Sequence, residues 1–161
     1  LSLLHGRKLR WVHAGGGPQE EYIHQLAEEK LGGNPEVSYA FLGSVPNETI
    51  VDYYKSTHID LFLTASETEG GTPVSIMEAF SFGVPAVGTD VGGIPEMIHE
   101  GTGFLLGANP TAAEIAAAIA AYADATAAKK TALRSNARQL SRNSFYDKAN
   151  HTRFVTELEK L

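Results

Sequence analysis

The chain has 161 residues, carries a net charge of −6 at neutral pH and contains no cysteine. This length is that of one domain, and the acidic balance argues against a nucleic-acid partner, which would need a basic surface. The lack of cysteine excludes disulfides and Cys-ligated zinc, and no apolar run approaches the 18 residues that would predict a transmembrane segment.

Strands and helices are predicted to alternate at the start of the chain. Residues 9–14 (LRWVHA) predict a strand that a glycine run ends, and residues 19–31 have helical composition. Three apolar residues are expected on the buried face of this helix: Tyr22, Leu26 and Ala27. Gly32 is predicted to end the helix, and residues 37–42 predict a second strand.

The middle of the chain repeats this alternation. Asn47 is the predicted N-cap of the next helix, because its side chain can accept a hydrogen bond from the first helical amides. Residues 59–64 (IDLFLT) are almost continuously apolar, which predicts a strand that is buried on both faces. A helix is predicted at residues 73–82 and a further strand at residues 84–89.

The last third is predicted to be mainly helical. It begins with a short helix at residues 92–99 and a short strand at residues 102–106. Thr111 and Glu114 have the T-x-x-E spacing of a capping box, which marks the start of an alanine-rich helix. Two more helices are predicted, around residues 128–142 and 146–160.

This order of elements predicts an α/β fold, with a Rossmann-like parallel sheet flanked by helices and a helical C-terminal tail. Such sheets bind ligands beyond the carboxyl ends of their strands. Three strand ends carry glycine runs, at residues 15–17, 70–71 and 92–93. We therefore expect one domain over residues 1–161 with a ligand site at this edge.

The loop at residues 65–71 has the composition of an anion site. Thr72 is the predicted N-cap of the following helix, with Pro73 at the first helical position. The first turn of a helix has unpaired amides and a partial positive charge, and phosphate is its usual ligand. The expected donors are the amides of Gly71, Thr72, Val74 and Ser75. An ordinary capped connection without a ligand is an equal alternative.

Two carboxylates, Glu69 and Glu78, lie on either side of the segment from Gly70 to Pro73. Glu78 lies in an apolar segment (VSIMEAFSFG) that predicts a helix buried nearly all round, so its carboxylate needs hydrogen-bond donors. A ribose supplies two adjacent hydroxyls, which one carboxylate can accept together. Glu69 precedes the glycines at the mouth of the loop. The alternative for each glutamate is a solvated position on the surface.

Other site types find little support in the sequence. The six histidines do not have the spacing of a metal site, and His13, at a strand end, is the only one near the expected cleft. The glycine run at residues 15–17 is not G-x-G-x-x-G, because position 20 is glutamate, so a dehydrogenase is disfavoured. No phosphate-binding P-loop motif is present.

The segment EGGTPVSIMEAFSFGVPAVGTDVGGIPEMI, followed by GTGFLL, resembles the E-x7-E region of retaining, nucleotide-sugar-dependent glycosyltransferases of the group 1 family, which have the GT-B fold. The segments WVHAGGGP, VSYAFLGSVPNETIVDYY and IDLFLTAS are similar to the family's preceding strands, turns and helix. The similarity covers roughly residues 9–107. One departure is that eight residues, not seven, separate Glu69 from Glu78.

The resemblance also implies that the chain is the donor-binding C-terminal domain of a two-domain enzyme. The family's first strand in this domain, with an Arg and a Lys that hold the diphosphate, has no counterpart in the sequence, and neither does the N-terminal acceptor domain. We therefore expect the domain to be truncated at its N-terminus and inactive in transfer on its own.

The resemblance implies a role for each matched residue. Glu69 would contact the transferred sugar near the reaction centre, and Glu78 would bind the ribose hydroxyls. The other donor-binding residues would be Gly70, Gly71, Thr72, Val74 and Ser75 in the loop, Val45 and Asn47 beside the base, and Gly15, Gly16 and Gly17 across the cleft. No metal and no cofactor would be needed.

The implied reaction is transfer of a hexose-type sugar, with retention, from a UDP- or GDP-sugar to a glycan or lipid-linked acceptor, as in polysaccharide biosynthesis. A nucleotide-sugar 2-epimerase-like enzyme and a non-catalytic nucleotide-sugar-binding module remain alternatives. We expect a cytoplasmic protein, with a peripheral position on the cytoplasmic membrane open for the full-length protein.

Overall fold

Strands and helices alternate from residue 9 to residue 106 in the computed structural model, which describes residues 1–145, 147–158 and 160. The chain divides into an N-terminal unit, Leu1–Thr57, and a C-terminal unit, His58–Leu161. Within the described residues every strand pairing is parallel, in one two-stranded and one three-stranded sheet flanked by helices. The predicted α/β class is therefore confirmed, whereas the single domain over residues 1–161 stays a prediction.

The N-terminal unit consists of β1 (Leu9–His13), α1 (Glu20–Leu31), β2 (Val37–Phe41) and α2 (Asn47–Ser56). β1 and β2 pair in parallel from Leu9 opposite Val37 to His13 opposite Phe41. Both strands and α1 lie within one residue of their predicted bounds, and Gly32 ends α1 as predicted.

The buried face of α1 differs from the prediction. Ala27 and Leu31 are buried, and Ile23 is half-buried, whereas 59% of Tyr22 and 36% of Leu26 are exposed. Residues 23, 27 and 31 recur every four positions and so share one face, and Ala27 and Leu31 pack in one apolar cluster with side chains of β1 and β2. The predicted face, at i, i+4 and i+5 from Tyr22, was therefore right for Ala27 and wrong for Tyr22 and Leu26, because the buried face is centred one position further round the helix.

Asn47 and Thr72 are not the N-caps that they were predicted to be, because a proline occupies each of these N-cap positions. Pro46 precedes α2 with an extended ψ of 148°, so Asn47 is already the first helical residue. Pro73 precedes α3 with ψ 124°, so this helix begins at Val74 and Thr72 lies outside it. A residue with an extended ψ is not helical, so each proline is the last residue before its helix. Among the described residues, no side chain caps either helix start.

The C-terminal unit begins with β3 (Phe62–Thr64), α3 (Val74–Ser81), β4 (Ala86–Thr89), a 3-10 turn (Ile94–Glu96) and β5 (Gly103–Leu106). The strand order is β3-β4-β5. β4 is central and fully buried, whereas 41% of Leu63 in β3 is exposed. The strand predicted at residues 59–64 is thus shorter and not buried on both faces, because it is at the edge of this sheet.

The core of the C-terminal unit lies between α3, β4 and the segment after it. Its largest buried side chains include Ile76, Phe80, Ile94 and Met97, each fully buried. Close packing explains the glycine at position 88 in β4, since a Cβ atom there would lie 2.6 Å from the Ile98 side chain. The core therefore packs α3 against β4, and the loop that joins β3 to α3 leads into this packed helix.

The predicted helical tail is confirmed within the described residues: α4 (Ala112–Ala123), α5 (Ala127–Leu140) and α6 (Asp147–Leu158). Residues 146 and 159, which belong to the last predicted helix, lie outside the described part. Thr111 and Glu114 form both bonds of the predicted capping box. In the described part of the chain, no helix has the length and apolar character needed to cross a membrane.

Candidate functional site

The loop between β3 and α3 carries a chain of side-chain hydrogen bonds that ends on Glu69. The Ser66 hydroxyl donates to Glu69 Oε1 at 2.8 Å, and the Thr64 and Ser66 hydroxyl oxygens are 3.0 Å apart. Thr89, buried in β4, donates its hydroxyl to the Ser66 carbonyl at 2.6 Å. The carboxylate predicted to contact the sugar is therefore half-buried and fixed from the ends of two neighbouring strands.

The glycine pair at residues 92–93 packs against the same loop from its other side. The Gly93 amide donates to the Gly71 carbonyl at 3.0 Å. A Cβ atom on Gly93 would lie 2.8 Å from that carbonyl, and one on Gly92 would collide with the Glu69 carbonyl oxygen. The sequence predicted that these glycines lie at a ligand-binding edge of the sheet. In the structure, their lack of a side chain allows two backbone segments to contact each other.

Gly70 and Gly71 face open space. A Cβ atom at either position would meet no atom of the described structure within 4 Å. The first turn of α3 is similarly accessible, with Val74 65% exposed and Ser75 exposed. Among the described residues, no side chain caps this helix, and the amides of its first turn have no intrahelical acceptor. The anion site predicted here, with Val74 and Ser75 as helical donors, stays a prediction.

Glu78 is half-buried, which differs from the prediction of a helix buried nearly all round. Ile76, Ala79 and Phe80 form the buried face of α3, and the opposite face is exposed. Residues three and four apart are neighbours on a helix, so Glu78 lies on the same side as Ser75 and Val74. The second predicted carboxylate is thus one helical turn from the start of α3, and its ligand stays a prediction.

The N-terminal unit holds a cleft of about 240 Å³ around its glycine run. The lining includes Gly15, Gly16, Gly17, Glu20, His13, His24 and Phe41. The Gly15 amide donates to the Gly43 carbonyl at 2.8 Å, and a Cβ atom on Gly16 would lie 3.5 Å from the Ser44 amide nitrogen. The predicted glycine run and the turn that leads to Val45 and Asn47 are therefore adjacent.

Sequence reasoning missed two lining residues on α1, Glu20 and His24. The ring centroids of His24 and Phe41 are 4.1 Å apart, and those of His13 and Phe41 are 5.9 Å apart. Glu20 and His24 are four residues apart, so they share one face of α1. This spacing was the available signal, but Glu20 was expected on the solvated face of the helix, and His24 was set aside because the histidines do not have the spacing of a metal site.

Each unit thus carries part of the predicted set. Glu69, Glu78 and the loop residues Gly70, Gly71, Thr72, Val74 and Ser75 belong to the C-terminal unit, and Gly15, Gly16, Gly17, Val45 and Asn47 belong to the N-terminal unit. Among the described residues, no three His, Asp or Glu side chains are grouped to hold a metal ion. That binding needs no metal stays a prediction.

The sequence matches the family described as glycosyl transferases group 1 over residues 2–140. N-acetyl-alpha-D-glucosaminyl L-malate synthase from Bacillus anthracis is 30% identical over 148 residues. This alignment covers 91% of the present chain and 35% of that protein. The chain therefore spans about a third of the length of this curated relative.

Solved structures agree with this assignment at the level of the fold. Sucrose-phosphate synthase from Thermosynechococcus elongatus has a TM-score of 0.75 at 24% identity, covering 99% of this chain and 39% of that chain. HepE from Anabaena in complex with UDP has a TM-score of 0.72 at 23% identity, covering 93% and 40%. Since the family match extends over most of its residues, this chain belongs to the group 1 glycosyltransferases and has their GT-B type of fold.

Proposed function

We propose that this chain binds the donor of a retaining glycosyltransferase, a UDP- or GDP-sugar that carries a hexose-type sugar. The observation that carries this proposal is the exposed, uncapped start of α3, with Glu78 one turn further on and Glu69 fixed before it. The partial positive charge at the start of the helix would hold a phosphate of the ligand. The two carboxylates would accept hydroxyls of its ribose and of its sugar.

The distal phosphate would bind at the first turn of α3. The amides of Val74 and Ser75 lack intrahelical acceptors, and the helix dipole adds partial positive charge at this end. Gly70 and Gly71 leave open space beside these amides, so a phosphate and part of the sugar can approach the backbone closely. Thr72 would contribute its amide from the loop.

Glu78 would accept the two hydroxyls of the ribose. A carboxylate is an acceptor with two oxygens, and adjacent hydroxyls match that geometry. Its half-buried position suits this role better than full burial would, because a ligand can reach it. Gly15, Gly16 and Gly17 would line the nucleotide cleft in the N-terminal unit, with Val45 and Asn47 beside the base.

Glu69 would contact hydroxyls of the transferred sugar, near the bond that breaks. The leaving diphosphate would gain negative charge in the transition state, where oriented amides and a helix dipole stabilise it. Transfer to a glycan or lipid-linked acceptor, with retention and without a metal or cofactor, is part of the proposal. HepE from Anabaena, which shares the fold, was solved with UDP-glucose, and this supports a nucleotide-sugar donor.

A binding experiment with matched ligands tests this function. Isothermal titration calorimetry would compare UDP, GDP and ADP, and then the sugar nucleotides of whichever base binds. We expect one nucleoside diphosphate to bind, and Glu78→Gln to weaken it. Glu29→Gln, in an exposed ion pair on α1, is the control and should leave binding unchanged. Absence of binding by all three diphosphates, or equal losses in both variants, would contradict the proposal.

A second assay separates a hydrolysing 2-epimerase-like enzyme from the other two functions. A transferase or binding module should leave the sugar attached to the nucleotide when no acceptor is present, whereas a hydrolysing 2-epimerase-like enzyme should release free nucleoside diphosphate. Incubation of the bound sugar nucleotide followed by chromatography therefore distinguishes these classes. We expect intact ligand after prolonged incubation with the chain alone.

A further inference from the structure

We propose that Ser66 is a positioning residue, whose hydroxyl holds the Glu69 carboxylate so that Oε2 is presented to the sugar of the donor. This inference rests on the proposed function and extends it to a residue outside the E-x7-E pattern. Ser66 lies in the loop two residues after β3 ends, where it is half-buried and within hydrogen-bond distance of two other side chains.

The direction of the hydrogen bonds follows from the number of protons. Ser66 has one hydroxyl proton, and an ionised Glu69 can only accept, so this proton is donated to Oε1. The Ser66 oxygen is then an acceptor for the Thr64 hydroxyl at 3.0 Å. The chain therefore runs in one direction, from Thr64 to Ser66 to Glu69, and the carboxylate is its end.

The backbone of Ser66 is fixed independently of its side chain. Thr89, only 1% exposed in the central strand β4, donates to the Ser66 carbonyl at 2.6 Å. Since β4 is fully buried, this bond ties Ser66 to the central strand of the C-terminal unit. A serine anchored in this way can orient a neighbour, whereas a serine on a free loop could not.

The backbone of Glu69 is fixed from the other side. Gly92 packs so closely on Glu69 that a Cβ atom at position 92 would collide with its carbonyl oxygen. The Gly93 amide bonds the Gly71 carbonyl two residues further on. With the backbone held, the freedom left to Glu69 is rotation of its long side chain, and the Ser66 bond removes that freedom.

The remaining carboxylate oxygen is available for a ligand. In the described part of the chain, Ser66 is the only hydrogen-bond partner of the Glu69 carboxylate, and it uses Oε1. Oε2 can therefore accept a sugar hydroxyl without breaking a bond inside the protein. A carboxylate oriented before binding loses less side-chain entropy when the sugar arrives, which increases affinity for the sugar and not for the nucleotide.

The test compares two ligands in a set of variants. Calorimetry would measure the dissociation constants of UDP and UDP-glucose, or of GDP and GDP-mannose if the guanine nucleotide binds more tightly. We expect Ser66→Ala to weaken the sugar nucleotide about tenfold and the nucleoside diphosphate less than about twofold, since one charge-assisted bond is lost. Ser66→Thr keeps the hydroxyl and should restore most of the affinity.

Three further variants separate positioning from a general structural effect. Thr64→Val keeps the shape but removes the first donor, so it should give a smaller loss with the same preference for the sugar nucleotide. Ser66→Ala added to Glu69→Ala should cause no further loss, because Ser66 acts through Glu69. Ser56→Ala, which removes an exposed hydroxyl bonded to the backbone of α2, is the matched control and should change neither constant.

The possible outcomes are distinct. Equal losses for both ligands, no loss for either, or an additive loss in the double variant would overturn the role of Ser66. A wild-type chain that binds sugar nucleotides no more tightly than nucleoside diphosphates would also overturn it, while leaving the nucleotide site intact. A wild-type chain that binds neither would refute the proposed function, and this inference with it.

Discussion

The Gly93 amide donates a hydrogen bond to the Gly71 carbonyl at 3.0 Å, and this bond ties the segment after β4 to the loop before α3. The two backbones approach so closely that no side chain fits between them. The loop that carries Glu69 is therefore supported by a second loop as well as by its own strand. This support leads to the first prediction.

Gly93→Ala should destabilise the C-terminal unit by about 1–3 kcal/mol, because the new methyl group would displace the loop at Gly71. Urea denaturation gives the free energy of unfolding. Gly107→Ala is the matched control, since a Cβ atom at that position would meet nothing within 4 Å. Similar losses in both variants would indicate a general effect of replacing glycine and not the close contact described here.

Glu78→Gln should weaken nucleotide binding by about 1.5–3 kcal/mol, because charge-assisted hydrogen bonds to the ribose are lost while the shape is kept. A 2′-deoxy nucleotide should bind wild type more weakly but should lose little further affinity for the variant. Calorimetry with both nucleotides and both proteins completes this cycle. Independent, additive losses would remove the ribose assignment.

Nucleotide binding should persist in excess EDTA. The expected contacts are backbone amides, a helix dipole and a carboxylate that accepts hydroxyls, and none of them needs a bound cation. Titration in EDTA and in magnesium should give equal dissociation constants. Loss of binding in EDTA with recovery in magnesium would show that the phosphate is held through a metal.

The capping box of α4 should make stability depend on pH in the acidic range. Glu114 accepts hydrogen bonds from the Thr111 amide at 2.7 Å and from the Thr111 hydroxyl at 2.8 Å, which lower its pKa below the ordinary glutamate value. The folded state therefore favours the ionised form. The stabilisation is present above the ordinary pKa and is lost as the pH falls through the lowered one.

Glu114→Gln tests this dependence because glutamine does not titrate. The difference in unfolding free energy between wild type and the variant should be largest near neutral pH and should shrink towards low pH. Chemical denaturation at several pH values measures it. A difference that stays constant across this range would contradict the capping contribution of the charged form.

Several features of the fold follow directly from local patterns in the sequence. Strand β1 ends at His13 because a glycine run follows, and Thr111 caps α4 because its T-x-x-E spacing satisfies two amides at once. These signals depend on neighbours in the sequence. The parallel pairing followed from the alternation of strands and helices, which leaves room for a crossover between strands.

Other features depend on neighbours that the sequence does not reveal. The burial of residues 59–64 was overestimated because their composition resembles that of a central strand, and only the strand order identifies β4 as the central one. The Ser66–Glu69 bond depends on the path of the loop, and Gly92 and Gly93 pack on residues 69–71 from a different segment, so composition alone did not predict either contact. Glu78 was expected to be buried because its neighbours are apolar, but α3 has an exposed side.

The open space around Gly70 and Gly71 has a consequence for engineering. A Cβ atom at either position would meet no described atom within 4 Å, so a substitution there should cost little folding free energy as long as the Gly71 carbonyl keeps its bond to the Gly93 amide. Positions 92 and 93, by contrast, accept nothing larger than glycine without moving the loop. Libraries intended to alter sugar preference should therefore vary residues 70 and 71 and keep the glycine pair unchanged.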